Sequence, residues 1–416
     1  MRGYSAFSLL RHALGGHAGW LRAIPDAAPK PAYDVVIIGG GGHGLATAYY
    51  LARQAPKLRI ALVERGWIGG GNSGRNTTIV RSNYLFAESA ALYEFALRLY
   101  EGLGRELNYN IMLSQRGVIT LAHSHHDMDT IARWATSIQM QGIDSEVLTA
   151  KQVHAEVPIL NTAPTTRYPV FGGFVQRRGG TARHDAVVWG YARAAAALGV
   201  DIIQNCEVTA FDIAAGQVRG IETSRGAIRA ERIAMAVAGH SSVLAGLAGI
   251  RMPVTSYCLQ AFVSEPVKPL LDTVIMSPGT GVYISQSDKG EMVIGGQLDL
   301  YPSYGQRGSP HILESVAAAA VEQYPVLSRM RMLRQWGGIV DVVHDSSPII
   351  DRTSVGGLYI NCGWGTGGFK AIPAGGWCLA DLVAQDRPGD LIRPFGFARF
   401  TSGALVDEAG AAGIAH

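Results

Sequence analysis

Three glycines, Gly39, Gly41 and Gly44, and one carboxylate, Glu64, are the first residues whose types and spacing imply chemistry. A Gly-x-Gly-x-x-Gly run alone says little. Here it follows the apolar, β-branched run Tyr33–Ile38 and opens the helix-forming stretch Leu45–Gln54. A second apolar strand, Arg59–Val63, ends in Glu64, twenty residues beyond Gly44. That is the order of parts in a βαβ unit that binds a dinucleotide. Gly39 permits the tight turn, Gly41 lets backbone approach a pyrophosphate, and Gly44 lets helix and strand lie close. The helix start offers N–H groups and the positive dipole end, so Gly42 and His43 join the expected contacts. Glu64 is placed to accept hydrogen bonds from the ribose.

Two further glycine clusters favour FAD over NAD. The polar, glycine-rich loop Gly69–Thr78 directly follows the Glu64 strand, as a flavin-side loop would, and carries Asn72, Arg75 and Thr77. The cluster Asn361–Lys370, with Gly365 and Gly368, opens a C-terminal helix whose dipole can favour a reduced, anionic flavin. Val208, within the strand patterns of 207–237, is a further expected contact.

These residues need elements to hold them. The chain has 416 residues, 48% hydrophobic and 17% charged, enough for two buried cores. Helical spacing marks Glu88–Leu107 and His184–Leu198. Alternating runs from Pro253 to Gln297 indicate an antiparallel sheet. The expected fold is α/β, α+β overall: a Rossmann-type FAD-binding domain interleaved with an antiparallel-sheet substrate domain. Segments 34–100, 180–250 and 335–390 are assigned to the first, and 101–179 and 251–334 to the second. Residues 1–33 read as an extension against another subunit. Residues 391–416 read as a tail, mobile from Ser402 onward.

Net charge is +3, with no clustered basic and aromatic face for nucleic acid. No apolar run is long enough to span a membrane, and no clean secretory signal is present. Cys206, Cys258, Cys362 and Cys378 lie far apart, without zinc spacing. They read as buried thiols in a reducing compartment, the cytoplasm.

The stretches DVVIIGGGGHGLATAYYLA, GRNTTIVRSNY and CGWGTGGFKAIPAGG resemble the amine-oxidising flavoproteins that include glycine oxidase, D-amino-acid oxidase and sarcosine oxidase. Within them, GGFVQRRGGTARHDAVVWGYARA at 172–194 is similar to the β subunit of heterotetrameric sarcosine oxidases. The resemblance covers about 33–395. It implies noncovalent FAD, and FMN attached covalently to His184 at an interface with an α subunit. Arg177, Arg178 and Arg183 beside two glycines could receive the FMN phosphate. It also implies γ and δ partners, with tetrahydrofolate on the α subunit capturing the formaldehyde unit. Arg81 and Lys370 match the groups that hold a substrate carboxylate, orienting an N-methyl carbon toward the flavin. Two departures stand out. Val293 aligns with a lysine that promotes reaction with oxygen in monomeric relatives, and 337–351 lacks their flavin-tethering cysteine. FAD is therefore expected to be slow with oxygen, which FMN reduces instead to peroxide. The alternative is a single-FAD dehydrogenase or oxidase of the proline, opine or D-amino-acid type.

Overall fold

The runs Val35–Ile38 and Ile60–Val63 have no polar face, so each needs cover on both sides. In the computed structural model, which describes residues 5–18, 24–25 and 27–408, both are inner strands of a six-stranded sheet. Its order is Ile349–Arg352, Leu358–Cys362, Ile233–Met235, Val35–Ile38, Ile60–Val63, Asp201–Ile203. Neighbours run parallel except the first pair. Alternation along each strand divides the cover. Val35, Ile37, Ile60 and Leu62 enter one core, with helices Gly42–Gln54, His184–Ala197 and Gly368–Gln385. Val36, Ile38, Ala61 and Val63 enter the opposite core, against a small antiparallel sheet of Val208–Ala214, Gln217–Thr223 and Ile228–Arg229.

The second unit is an eight-stranded sheet. Its order is Met332–Val342, Thr255–Pro266, Glu291–Leu298, Val282–Gln286, Val274–Ser277, Val118–Ala122, Gly172–Gln176, Glu146–Thr149. All neighbours are antiparallel except Val118–Ala122 with Val274–Ser277. Helices Ala150–Glu156 and Pro310–Gln323 cover one face through Val153, Ile312 and Val316. The fold is thus the expected Rossmann-type unit interleaved with a largely antiparallel sheet. One boundary differs. Residues 335–342, assigned from sequence to the nucleotide unit, lie in the eight-stranded sheet. Thr255–Pro266 supplies a ladder of ten paired residues to that strand, and such a length would be unmatched in the short-stranded parallel sheet.

The chain ends also differ from expectation. Residues 405–408, read as mobile, are docked. Val406 is buried and its carbonyl accepts a hydrogen bond from Ser347 Oγ, while Glu408 is buried. Residues 409–416 lie outside the described residues. In the N-terminal extension, helix Ala6–Leu14 exposes Phe7, Leu9, Leu10 and Leu14 and buries nothing. All four cysteines are buried free thiols. Among the described residues no helix is long and apolar enough to cross a membrane.

Candidate active site

A cavity of about 970 Å³ lies between the two sheets. That is at the upper end of the ~300–1,000 Å³ usual for ligand sites. Its wall includes Gly39, Gly41, His43 and Glu64, then Asn72, Arg75 and Thr77, then Arg81, Gly365, Gly368 and Lys370, with Val208 beside the first group. Sequence reasoning had named all of these.

The glycines do what the spacing required. Gly39 adopts φ +114°, and a Cβ there would lie 2.3 Å from Ala236 O. A Cβ on Gly44 would lie 2.0 Å from Gly39 O, so only glycine lets the helix start this close to the strand. Gly42 and Gly44 shape the turn from behind the wall rather than lining it. Glu64 accepts from Gly40 N at 2.7 Å and Gly66 N at 2.8 Å, which fixes its carboxylate at the strand end.

Ser73 was missed. Its Oγ accepts from Gly42 N at 2.8 Å and pins the 69–78 loop to the helix start. The signal was a hydroxyl within Asn72-Ser73-Gly74, a good partner for free helix-start N–H groups. Arg75 donates to Gly71 O at 2.9 Å, and Asn72 donates to Ile339 O, tying the loop to the long edge strand.

His43 joins the two glycine clusters. Its Nε2–H donates to Gly368 O at 2.8 Å, its ring stacks 4.8 Å from Trp364, and Asn361 Nδ2 lies 3.3 Å from Nδ1. Burial pushes its pKa down to about 4, so it stays neutral around pH 7. At the same loop, Asp341 reaches from the eight-stranded sheet, and its carboxylate accepts from Gly363 N at 2.6 Å. Burial raises its pKa to about 6, and the amides of Gly363, Trp364 and Gly365 oppose the rise. The amides opening this loop therefore already carry a carboxylate. Sequence reasoning had assigned that helix start to the flavin alone.

Arg81 and Lys370 come together at the other end. Arg81 is 3% exposed and Lys370 6%. Arg81 Nη1 donates to Asn83 Oδ1 at 2.7 Å, its guanidinium lies 4.7 Å from the Tyr84 ring centre, and its Nε has no partner. Lys370 donates to the Thr366 carbonyl at 3.1 Å. Burial, and then the Arg81 charge, push the Lys370 pKa well down. Among the described residues neither side chain forms an ion pair with a carboxylate. A buried guanidinium with no ion-pair partner among the described residues, beside an amine that can take up a proton when a negative charge arrives, suits an anion from outside.

Val293 is not on the cavity wall, whereas Gly296, Gln297 and Leu298 of its strand are. Tyr283 fills the intervening space, since a Cβ on Gly295 would lie 2.1 Å from its hydroxyl. Among the described residues the one lysine on the wall is Lys370.

His184 opens helix His184–Ala197 and does not line this cavity. Its Nδ1 is buried without a partner, and burial lowers its pKa. The three arginines beside it are not the open cationic cradle expected. Arg177 pairs with Glu146 and Glu156, Arg178 with Glu94 and Glu101, and Arg183 with Asp185 and Asp288. Apart from Asp185, two residues from Arg183, these carboxylates come from other elements, which local sequence cannot reveal.

A family model described as FAD dependent oxidoreductase matches residues 34–382. The chain belongs to the FAD dependent oxidoreductase family. It is similar to proteins named sarcosine oxidase subunit beta. The identity is 53% to that of Rhodobacter capsulatus, over all of both chains. It is 51% to that of Arthrobacter sp, over 96% of this chain and 98% of the other. A glycine oxidase of Bacillus subtilis is 27% identical over 85% of this chain and 94% of its own. Among solved structures, the L-proline dehydrogenase of P. horikoshii superposes with a TM-score of 0.83 at 23% identity, over 92% of this chain and all of the other. The glycine oxidase of Geobacillus kaustophilus gives 0.81 at 23%, over 89% and 99%. The family model and the relatives at 51–53% identity make the chain an FAD-dependent oxidoreductase, and the two solved structures share its fold. Gly39, Gly41 and the fixed Glu64 suit the adenosine and pyrophosphate, and the cavity leads on to Arg81 and Lys370.

Proposed function

We propose that this chain oxidises the N-methyl group of sarcosine, N-methylglycine, as the β subunit of a multi-subunit sarcosine oxidase. The observation that carries the reading is the buried pair Arg81 and Lys370, without an ion-pair partner among the described residues, at the end of a dinucleotide cavity. Arg81 and Lys370 would hold the substrate carboxylate, so the N-methyl end points along the cavity. Neutral His43 and the 361–370 loop form part of the wall beside it. The overall change consumes sarcosine, oxygen and water and yields glycine, a formaldehyde unit and hydrogen peroxide. Bound FAD supplies the hydride acceptor, and FMN on His184 supplies the site of oxygen reduction.

The relatives named subunit beta support a multi-subunit complex; the α, γ and δ partners, and capture of the formaldehyde unit by tetrahydrofolate on the α subunit, belong to this proposal. The exposed apolar residues of helix Ala6–Leu14 would face such a partner. A ring nitrogen of His184 would form the covalent bond with the flavin, and its Nδ1 has no hydrogen-bond partner among the described residues. Since Arg177, Arg178 and Arg183 are already matched, the FMN phosphate needs other donors. Lys289, whose charge acts on His184, is one.

The test is to co-express the chain with its neighbouring subunits, precipitate it in acid and weigh the pellet. A pellet heavier by one FMN, mapping to His184 and absent in His184→Ala, agrees with the proposal. A colourless pellet with FAD alone in the supernatant favours the single-FAD amino-acid dehydrogenase or oxidase.

A further inference from the structure

Helix Ala87–Glu106 begins four residues after Asn83, the partner of Arg81, and it starts badly. Its N-cap is Phe86, which has no side-chain oxygen to offer. Its third residue is Ser89, where a capping box would carry Glu or Gln to reach back to the N-cap amide. The missing carboxylate comes from the far end of the chain. Glu408 Oε1 accepts from Phe86 N at 3.0 Å, and the Leu85 amide and Ser89 hydroxyl also serve this carboxylate. Glu408 is 2% exposed.

The tail bearing Glu408 is fastened upstream. Arg399 and Asp345, 2% and 0% exposed, form a bidentate pair at 2.7 and 3.1 Å. Arg399 also donates to Ser347 O at 2.9 Å, and Ser347 Oγ holds the Val406 carbonyl. The 81–86 segment is thus held from two sides. On one side Ser82 Oγ donates to Glu94 Oε2 at 2.8 Å and Ser82 N to Gln176 Oε1 at 2.9 Å. On the other side stands Glu408, close enough to feel the Arg81 charge. Between them Tyr84 stacks 3.7 Å from Tyr93 and carries Arg81 on its ring.

We infer that Glu408 is a positioning residue for the substrate clamp: the C-terminal segment fixes the 81–86 loop, and so Arg81, by capping the helix that follows it. This rests on the reading of Arg81 as a carboxylate ligand. The link is mechanical. Glu408 does not line the cavity and touches no substrate.

Four co-expressed complexes test it: wild type, Glu408→Ala, Glu408→Gln and Arg81→Met. The readouts are KM and kcat for sarcosine, FAD content, and the Kd of acetate, an inert carboxylate, from the flavin absorbance change. Glu408→Ala should raise KM and the acetate Kd about fivefold, the worth of one lost cap, with kcat and FAD content within about twofold. Glu408→Gln keeps an acceptor for Phe86 N–H and should restore wild-type values. If the alanine chain does not fold, Glu408→Asp, one methylene short, gives the same comparison. Unchanged KM and acetate Kd in Glu408→Ala, or in Glu408→Asp, would overturn the inference and leave the tail as a stability element. Unchanged acetate binding in Arg81→Met would instead remove the clamp itself, whatever the Glu408 variants do.

Discussion

Lys370 is the residue whose chemistry is most exposed to test. A buried ammonium beside Arg81 has its pKa pushed down, so it deprotonates at lower pH than an ordinary lysine. Only the charged form attracts a carboxylate. Sarcosine affinity should therefore weaken as pH rises through the lowered pKa, and kcat/KM should fall with it. Lys370→Arg stays charged throughout and should flatten that limb. Lys370→Met should lose about 10- to 100-fold in kcat/KM, as expected for one charged hydrogen bond. An alkaline limb that persists in Lys370→Arg would assign the titration to another group. The glycines, Glu64, Arg81 and Lys370 were legible because backbone sterics and charge restrict which residue types can serve. Asp341 left only a faint trace, a carboxylate in the apolar second half of strand Met332–Val342. Glu408 left none, because a lone Glu in a Gly/Ala-rich tail acquires meaning only from a partner 322 positions away.

At the scale of elements, helix Gly368–Gln385 contains Pro373. Proline has no N–H, so the Phe369 carbonyl one turn earlier loses its helical donor. Tyr100 replaces it, its hydroxyl donating to Phe369 O at 2.7 Å from a neighbouring helix. Tyr100 is fully buried. Tyr100→Phe should destabilise the protein by ~1–3 kcal/mol, read as a lower urea midpoint, because it leaves a buried carbonyl unpaired. It should also loosen Lys370, the next residue along, and raise KM for sarcosine. An unchanged midpoint would mean that water serves this carbonyl. The periodicity predicted that helix and the βαβ unit. It could not predict that residues 332–342 join the eight-stranded sheet, since strand pairing is decided by available edges rather than by the strand's own residues.

For the molecule as a whole, two buried groups oppose each other in acid. His43 has its pKa lowered from 6.5 to about 4, so the folded state resists its protonation, and stability is lost as pH falls through that window. Asp341 has its pKa raised from 3.8 to about 6, so its contribution runs the other way, with stability lost as pH rises. Each is worth ~3 kcal/mol over its range, and they offset where the windows overlap. Asp341→Asn should therefore unmask His43, giving a urea midpoint that falls more steeply from pH 6.5 toward 4 than in the wild type. Parallel profiles would contradict this balance. The packing that creates both shifts joins the two sheets around one cavity, and the central claim concerns what that cavity oxidises. The most direct measurement mixes the co-expressed complex with sarcosine without oxygen and follows the visible flavin absorbance, with dimethylamine and L-proline in parallel. Bleaching by sarcosine, and by neither the amine that lacks a carboxylate nor the cyclic amino acid, is the predicted result. Bleaching by L-proline but not by sarcosine would contradict the account, as would equal bleaching by dimethylamine.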